Sequence, residues 1–277
     1  MQLWIGTSGY SYPDWVGGFY PPGTSAQKMF AHYVRHFPLV ELNYTFYRPA
    51  EKSSLLRLAR RAPKEFQFIV KLHRSLSHEH DLSGAAAIRE AVDGLQKENR
   101  LLGLLCQYPQ EFHYTKQNLG RLEALAHKFS GHTLAVEFRH QSWHVTEVVD
   151  WLRQRQLHLV SVDVPNIPSL YPRRLVLSSR LIYIRLHSRN KDAWYADDKS
   201  RYDYLYSDQE LLEWIDALIQ AANSADRALM LFNNCHSSQA ALNAQRVQKL
   251  LSQMKTPLEV VPPPEWQEED GNQPLLF

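Results

Sequence analysis

The chain has 277 residues, of which 44% are hydrophobic and 22% are charged, and its formal net charge is +2. This composition excludes a disordered or fibrous protein and indicates one large α/β domain that can bury a sizeable core. A mild charge and a pI near 8.4 neither require nor exclude a nucleic-acid partner.

Eight apolar or alternating segments have the pattern of strands, and helical patterns separate most of them. The predicted strands cover residues 3–6, 40–48, 66–73, 101–107, 134–143, 159–163, 181–189 and 228–234. The predicted helices cover residues 30–37, 55–61, 83–100, 119–129, 145–152, 207–219 and 240–254. After the sixth strand, Pro165, Pro168 and Pro172 disfavour a full helix, so one crossover is expected to be irregular.

This alternation predicts an α/β fold of the (β/α)8 TIM type, irregular after strand six. A doubly wound open sheet is the alternative, but the G-x-G-x-x-G turn typical of many such sheets is absent. The barrel is expected to occupy residues 1–261, and residues 262–277 a Pro-rich, acidic tail. No apolar run is long enough to cross a bilayer and no signal peptide opens the chain, so we expect a cytoplasmic protein that does not bind membranes. Cys106 and Cys235 lack C-x-x-C spacing and are predicted to be free thiols.

The second predicted strand alternates apolar side chains with Glu41, Asn43 and Thr45, although parallel strands covered by helices are normally apolar on both faces. Most other strands also end in polar residues, and active sites of TIM-type barrels gather at the carboxyl ends of strands. We therefore predict a pocket there. Candidate catalytic residues are Glu41, Glu137, Asp163 and His187; candidate ligand-binding residues are Ser8, Tyr10, Asn43, Thr45, Lys71, Gln107, Arg139, Trp143, Arg185, Asn233 and Asn234.

Five of these segments also carry a family resemblance. They are residues 6–10 (GTSGY), 41–48 (ELNYTFYR), 137–143 (EFRHQSW), 185–187 (RLH) and 232–236 (FNNCH). In this order the chain resembles the YecE-like family, known as domain of unknown function 72. The resemblance implies a TIM-type barrel and a polar pocket built from these segments, and it implies no reaction.

The residue types themselves favour an anionic or sugar-like ligand. Lys71, Arg139 and Arg185 suit a phosphate or carboxylate, and the amide side chains suit sugar hydroxyls or a nucleobase edge. Carboxylates together with His187 predict a hydrolase or isomerase without a cofactor. Three alternatives remain open: Glu137 pairs with an arginine and does no chemistry, the carboxylates and His187 hold a divalent metal, or the protein is a non-catalytic binding or adaptor protein.

The chain ends on QPLLF after three prolines and an acidic stretch. Gln273, Leu276 and Phe277 resemble the Q-x-x-L-F peptide with which bacterial DNA polymerases and repair proteins dock on the sliding clamp. A clamp partner would favour nucleotide or nucleic-acid chemistry in the barrel. The alternative is that the apolar end folds back onto the barrel.

Overall fold

A computed structural model describes residues 1–265 of the chain, apart from the side chains of Asp198 and Lys199. Within this part, eight parallel strands close into a barrel with helices on its outside, which confirms the predicted (β/α)8 architecture. The strands are β1 (Gln2–Ser8), β2 (Leu39–Leu42), β3 (Gln67–Lys71), β4 (Leu101–Gln107), β5 (Leu134–Glu137), β6 (His158–Asp163), β7 (Leu181–Leu186), β8 (Arg227–Phe232) and a short β9 (Glu259–Val260) beside β1. The helices are α1 (Ala26–Tyr33), α2 (Lys52–Ala59), α3 (Arg74–Ser77), α4 (Ala85–Lys97), α5 (Lys116–Lys128), α6 (Thr146–Gln154), α7 (Asp198–Arg201), α8 (Asp208–Ala221) and α9 (Gln239–Ser252).

The barrel closes where β1 lies between β8 and β2. Six residues of β1 pair with β8, whereas only Thr7 and Ser8 pair with β2. The backbones approach closely at this closure: a Cβ on Gly6 would lie 2.7 Å from the carbonyl oxygen of Leu39. Gly6 therefore permits the contact that joins the first and second strands.

The crossover between β6 and β7 is irregular, as the prolines predicted. Described residues 164–180 form no helix. The segment packs onto the barrel instead: the Val176 amide donates to Ser161 Oγ at 3.0 Å, and Tyr171 is buried. The apolar face of α4 is buried too, with Ile88, Val92 and Leu95 no more than 3% exposed.

Five predicted strands end earlier than expected, at Leu42, Lys71, Glu137, Leu186 and Phe232. After β2 the chain turns into a 3-10 helix, Tyr44–Phe46. The Thr45 hydroxyl donates to the Leu42 carbonyl at 2.7 Å and lies 2.6 Å from the Lys71 carbonyl of the neighbouring strand, and these contacts compete with continued strand pairing. Thr45 consequently does not continue the polar row that begins with Glu41.

Both cysteines are free thiols, as predicted; Cys106 is buried and Cys235 partly buried. Among the helices of residues 1–265, none has the length and apolar surface needed to cross a membrane.

Candidate functional site

Arg185 is the centre of a polar network inside the carboxyl end of the barrel. Its Nε and Nη2 donate to the two carboxylate oxygens of Glu41 at 2.9 and 2.6 Å, and its Nη1 donates to Glu137 Oε2 at 2.6 Å. Nη2 also lies 3.3 Å from Ser8 Oγ. One guanidinium thus connects β1, β2, β5 and β7, the strands that carry these four residues.

The two carboxylates of this network are counterions of arginine. Both are fully buried, and Glu41 also accepts a hydrogen bond from the Tyr183 hydroxyl. Burial raises the pKa of Glu137, but Arg185 and Arg139 outweigh it and hold that pKa well below its usual range. Burial lowers the pKa of Arg185, but Glu137 and Glu41 raise it well above its usual range. The alternative in which Glu137 pairs with an arginine inside the barrel is therefore the arrangement found.

Arg139 approaches the same carboxylate from the cleft side. Its Nε lies 2.7 Å from Glu137 Oε1, off the direction of the N–H bond, so the contact is an ion pair without a directed hydrogen bond. The Arg139 side chain is 10% exposed. Glu137 Oε1 has no hydrogen-bond partner among the described residues, so the Nη atoms of Arg139 form no hydrogen bond with it.

His187 extends the network towards β8. Its Nε2 lies 3.3 Å from Glu137 Oε1, and its Nδ1 lies 2.9 Å from Asn233 Nδ2. Burial, followed by the charge of Arg139, lowers the pKa of His187 to about 3, so the imidazole is neutral at pH 7. Nδ1 then accepts from Asn233, whose Oδ1 accepts from Asn43 at 3.3 Å. A pKa this low removes the reason for a proton-transfer role of His187 near neutral pH.

Lys71 ends β3 beside this network. Its Nζ donates to Gln107 Oε1 at 2.9 Å and lies 4.2 Å from the centroid of the Phe46 ring. Neither partner is charged, and no carboxylate of the described residues forms an ion pair with Lys71. Burial, then the nearby charge of Arg185, lowers the pKa of Lys71 to about 7, although Glu137 and Glu41 oppose the shift.

A cleft of about 340 Å³ opens above Lys71, Gln107 and Arg139. Its far wall comes from the insertion between β7 and α8, where the Trp194 ring centroid lies 5.7 Å from Arg139 Cζ. Tyr195 joins this wall to the loop after β4 through a 3.0 Å hydrogen bond from Gln110. Aromatic side chains of this insertion, Trp194, Tyr195 and Tyr202, therefore line the candidate site.

Two cavities of about 370 and 670 Å³ lie at the opposite end of the barrel, near the strand starts at Leu101 and His158. That end of a TIM-type barrel serves stability, and active sites lie at the carboxyl ends of the strands. We therefore take the smaller cleft above Lys71 as the candidate site.

Strand register decides which predicted residues share the site. Paired residues of parallel strands point to the same face, and the face alternates along each strand. Arg185 pairs with Val162, so Asp163 points outward. Its carboxylate accepts from Arg189 Nη2 at 2.8 Å and from Trp214 Nε1 at 2.5 Å. The structure thus places Asp163 in a separate cluster under α8, away from Glu41 and Glu137.

Eight of the predicted ligand-binding residues do not line the cleft. Ser8, Asn43, Arg185 and Asn233 belong to the network beneath it, and the other four have contacts elsewhere. Thr45 holds the turn after β2, and Trp143 is fully buried, with its ring 4.1 Å from that of Phe138. Tyr10 packs 4.8 Å from the Phe30 ring. Asn234 lies on the outer face and donates to Asn243 of α9 at 3.0 Å. These positions give the four residues structural contacts in place of the expected ligand contacts.

The divalent-metal alternative finds no matching geometry. Among the described residues, no three His, Cys, Asp or Glu side chains are grouped to hold an ion. The physical reason is that Arg185 occupies Glu41 and Glu137, while Asp163 faces outward.

Tyr183 and Phe46 are two of the site residues that the sequence did not reveal. Tyr183 precedes Arg185 by two positions, so strand alternation alone places both on the inner face. Phe46 was taken as an apolar strand residue, and only the 3-10 turn brings its ring over Lys71. No local sequence pattern predicted that turn.

The fold and the candidate site together define a (β/α)8 barrel protein with a buried arginine–carboxylate network beneath an open cleft. The chain belongs to the family described as "Protein of unknown function DUF72", which matches residues 4–268. This confirms the resemblance to the YecE-like family, another name for the same group.

Known relatives agree with this assignment. The chain is 29% identical over 273 residues to the UPF0759 protein YunF of Bacillus subtilis (strain 168), covering 90% of this chain and 95% of that protein. It is 33% identical to a DUF72 family protein of Thermotoga maritima MSB8, whose crystal structure superposes with a TM-score of 0.85 over 91% of this chain and 100% of the other. A DUF72 family protein of Enterococcus faecalis V583 gives 25% identity and a TM-score of 0.81 over 91% and 96% of the two chains.

Proposed function

We propose that the protein binds a small anionic molecule in the cleft above β3, β4 and β5, with Lys71 and Arg139 contacting its negative group. The observation that carries this proposal is that Lys71 lines the cleft, while its Nζ has only an amide and an aromatic ring as partners among the described residues. A phosphate or carboxylate would supply the missing counter-charge.

The dimensions of the cleft favour a metabolite over nucleic acid. About 340 Å³ lies at the lower end of the range of small-molecule sites. Trp194, Tyr195 and Tyr202 offer aromatic surface on which a sugar can pack.

The same geometry gives less support to hydrolysis by a carboxylate pair. A carboxyl group that acts as a general acid or base must exchange a proton with the substrate. Arg185 donates hydrogen bonds to both oxygens of Glu41 and to one oxygen of Glu137, so these oxygens are less available for that exchange. The amine of Lys71 is the group at the cleft that can exchange a proton near pH 7. We therefore favour binding with proton transfer, as in an isomerase, and a purely binding role would use the same cleft.

Isothermal titration with phosphate, pyruvate and a sugar phosphate tests the anion site. We expect saturable binding that Arg139→Ala weakens at least about tenfold, because a charge-assisted hydrogen bond contributes roughly 1.5–3 kcal/mol. Arg180→Ala is the control, since Arg180 pairs with Asp226 before the start of β7. Thermal unfolding of each variant separates weaker binding from misfolding. Equal affinities of the two variants, or no binding by the unaltered protein, would contradict the proposal.

A second proposal concerns the tail: we propose that Gln273, Leu276 and Phe277 dock on a bacterial sliding clamp. These three residues lie outside the described residues, so the support is their sequence and the place where the linker starts. The Val261 amide donates to the Leu3 carbonyl at 2.9 Å, near the start of β1 and away from the cleft. A partner on the tail would then leave the cleft accessible.

Fluorescence anisotropy of the labelled full-length chain against a bacterial clamp tests this proposal. We expect saturable binding that the double variant Leu276→Ala, Phe277→Ala abolishes. Pro274→Ala, at a position that the peptide pattern leaves open, should bind normally. Binding that survives the double substitution would show that the tail is not the docking element.

A further inference from the structure

We infer that Lys71 is a nucleophile that forms an imine with the carbonyl carbon of a small aldehyde or ketone bearing an anionic group. The inference rests on the proposed anion site and names the substrate class for it. Three features of the site support this inference: the partners of the amine, the position of a neighbouring cation, and the wall of the cleft.

The partners of Lys71 leave its nitrogen available. Gln107 accepts one hydrogen bond at 2.9 Å, and the Phe46 ring covers another side at 4.2 Å. A carboxylate partner would hold the amine in its protonated form, and the described residues provide none in contact with Nζ. Without a carboxylate in contact with Nζ, burial of the amine favours its neutral form.

Arg139 supplies the second requirement, a cation that orients the substrate. It lines the same cleft as Lys71, and its Nη atoms form no hydrogen bond with Glu137 Oε1. A carboxylate or phosphate held there would place an adjacent carbonyl group within the small cleft that Lys71 faces. Trp194, which is 3% exposed, and Phe46 form apolar walls of this cleft.

The protonation of Lys71 agrees with this geometry. Burial, with Arg185 nearby, lowers the pKa of its amine from 10.5 to about 7. Roughly half of the molecules therefore carry a neutral amine at pH 7, whereas a lysine of ordinary pKa is almost fully protonated. The thiols are not competitors, because burial raises the pKa of both Cys106 and Cys235 to about 12.

The reaction balances without an oxidant or a reductant. The lone pair of Nζ attacks the carbonyl carbon, a C–N bond forms, and the π electrons of the C=O bond move to oxygen. The oxygen takes up the proton that nitrogen releases, which gives a carbinolamine. The hydroxyl group then leaves with a proton from nitrogen as water, and a C=N bond forms. The net change is an amine and a carbonyl compound giving an imine and one water.

Reductive trapping on the full-length protein tests the inference. The probes are pyruvate, which presents a carboxylate, and dihydroxyacetone phosphate, which presents a phosphate, each with sodium cyanoborohydride. Peptide mass spectrometry locates the resulting secondary amine. We expect Lys71 to be labelled before any surface lysine by at least one probe, and the probe that labels faster identifies the anion.

Variants and competitors sharpen this result. Lys71→Met should remove the fast label, and Lys128→Met, on the exposed end of α5, should keep it. Lactate and glycerol 3-phosphate carry the anion without a carbonyl group and should slow labelling by the matching probe. Over about pH 6–8 the labelling rate should rise as Lys71 loses its proton.

If Lys71 in the unaltered protein is labelled no faster than surface lysines, the imine inference is overturned. This result does not depend on whether the variants fold. Calorimetry with lactate and glycerol 3-phosphate then decides the other question separately. Binding without trapping retains the anion site and rejects the imine, whereas neither binding nor trapping rejects both.

Discussion

Arg185 neutralises two carboxylates that have no contact with water. Glu41 and Glu137 are 0% exposed, and the guanidinium is 1% exposed. Replacing such a network by a well-packed apolar set can be neutral, but removing one member leaves an uncompensated charge in a low-dielectric interior. The stability of this barrel therefore depends on Arg185 more than on any exposed ion pair.

We expect Arg185→Met to lower the free energy of unfolding at pH 7 by about 3–5 kcal/mol. Urea denaturation measures the loss, which should be smaller near pH 5, where a carboxylate without its cation can take up a proton. The control is Arg180→Met, whose pair with Asp226 is 64% and 68% exposed and should contribute less than about 1 kcal/mol. Similar losses for both variants would show that the network does not stabilise the barrel in this way.

The depressed pKa of Lys71 has a cost in stability that depends on pH. Below pH 7 the amine is protonated in both folded and unfolded chains, so the full cost of burying its charge applies. Between about 7 and 10.5 the unfolded chain binds more protons than the folded one, and the contribution of Lys71 to stability therefore rises with pH.

Lys71→Met should accordingly melt higher than the unaltered protein at pH 6–7, and the difference should shrink towards pH 10. Melting temperatures of both proteins at about pH 6, 8 and 10 provide the comparison. The matched substitution Lys128→Met, at an exposed helix position, should give a difference that does not change with pH. A constant difference for Lys71→Met would mean that the amine has an ordinary pKa.

At the scale of elements, barrel closure depends on one close approach between β1 and β2. We expect Gly6→Ala to lower the free energy of unfolding by roughly 1–3 kcal/mol, because its Cβ would lie 2.7 Å from the Leu39 carbonyl oxygen. Gly120→Ala within α5 is the opposite case, because its Cβ meets nothing within 4 Å. This change should raise the free energy of unfolding by at most about 1 kcal/mol. Urea denaturation of both variants checks the two signs. Equal signs would contradict the packing argument.

At the scale of the whole molecule, β9 joins the last described strand of the chain to the first. The Glu259 amide donates to the Met1 carbonyl at 2.9 Å, and Leu258 is buried. We expect removal of residues 262–277 to leave the melting temperature within about 2 °C, because these contacts remain. Removal of residues 257–277 should lower it by several degrees, since a buried leucine contributes about 2 kcal/mol. Equal melting temperatures would show that β9 adds nothing to the barrel.

Local patterns were enough to predict the barrel and the end of it that carries the polar residues. The spacing of apolar residues that distinguishes strands from helices involves only residues that are close in the chain. A parallel sheet then places the carboxyl ends of all strands at one edge. Lys71, Gln107 and Arg139 were found in this way, and they line the cleft. The irregular crossover after β6 followed from its prolines for the same reason, because proline acts on its own helix.

The tertiary structure decided the roles of the polar residues at the carboxyl end of the barrel. Arg185 binds Glu41 across 144 residues and Glu137 across 48, and no local pattern fixes which charges meet at such separations. Strand register turned Asp163 and Asn234 to the outer face, and the turn at Thr45 placed Phe46 over Lys71. The sequence by itself determined which polar groups reach the carboxyl end of the barrel, because strand position is local. Only the closed barrel decided which of them neutralise one another and which face the cleft, because pairing and burial depend on residues distant in the chain.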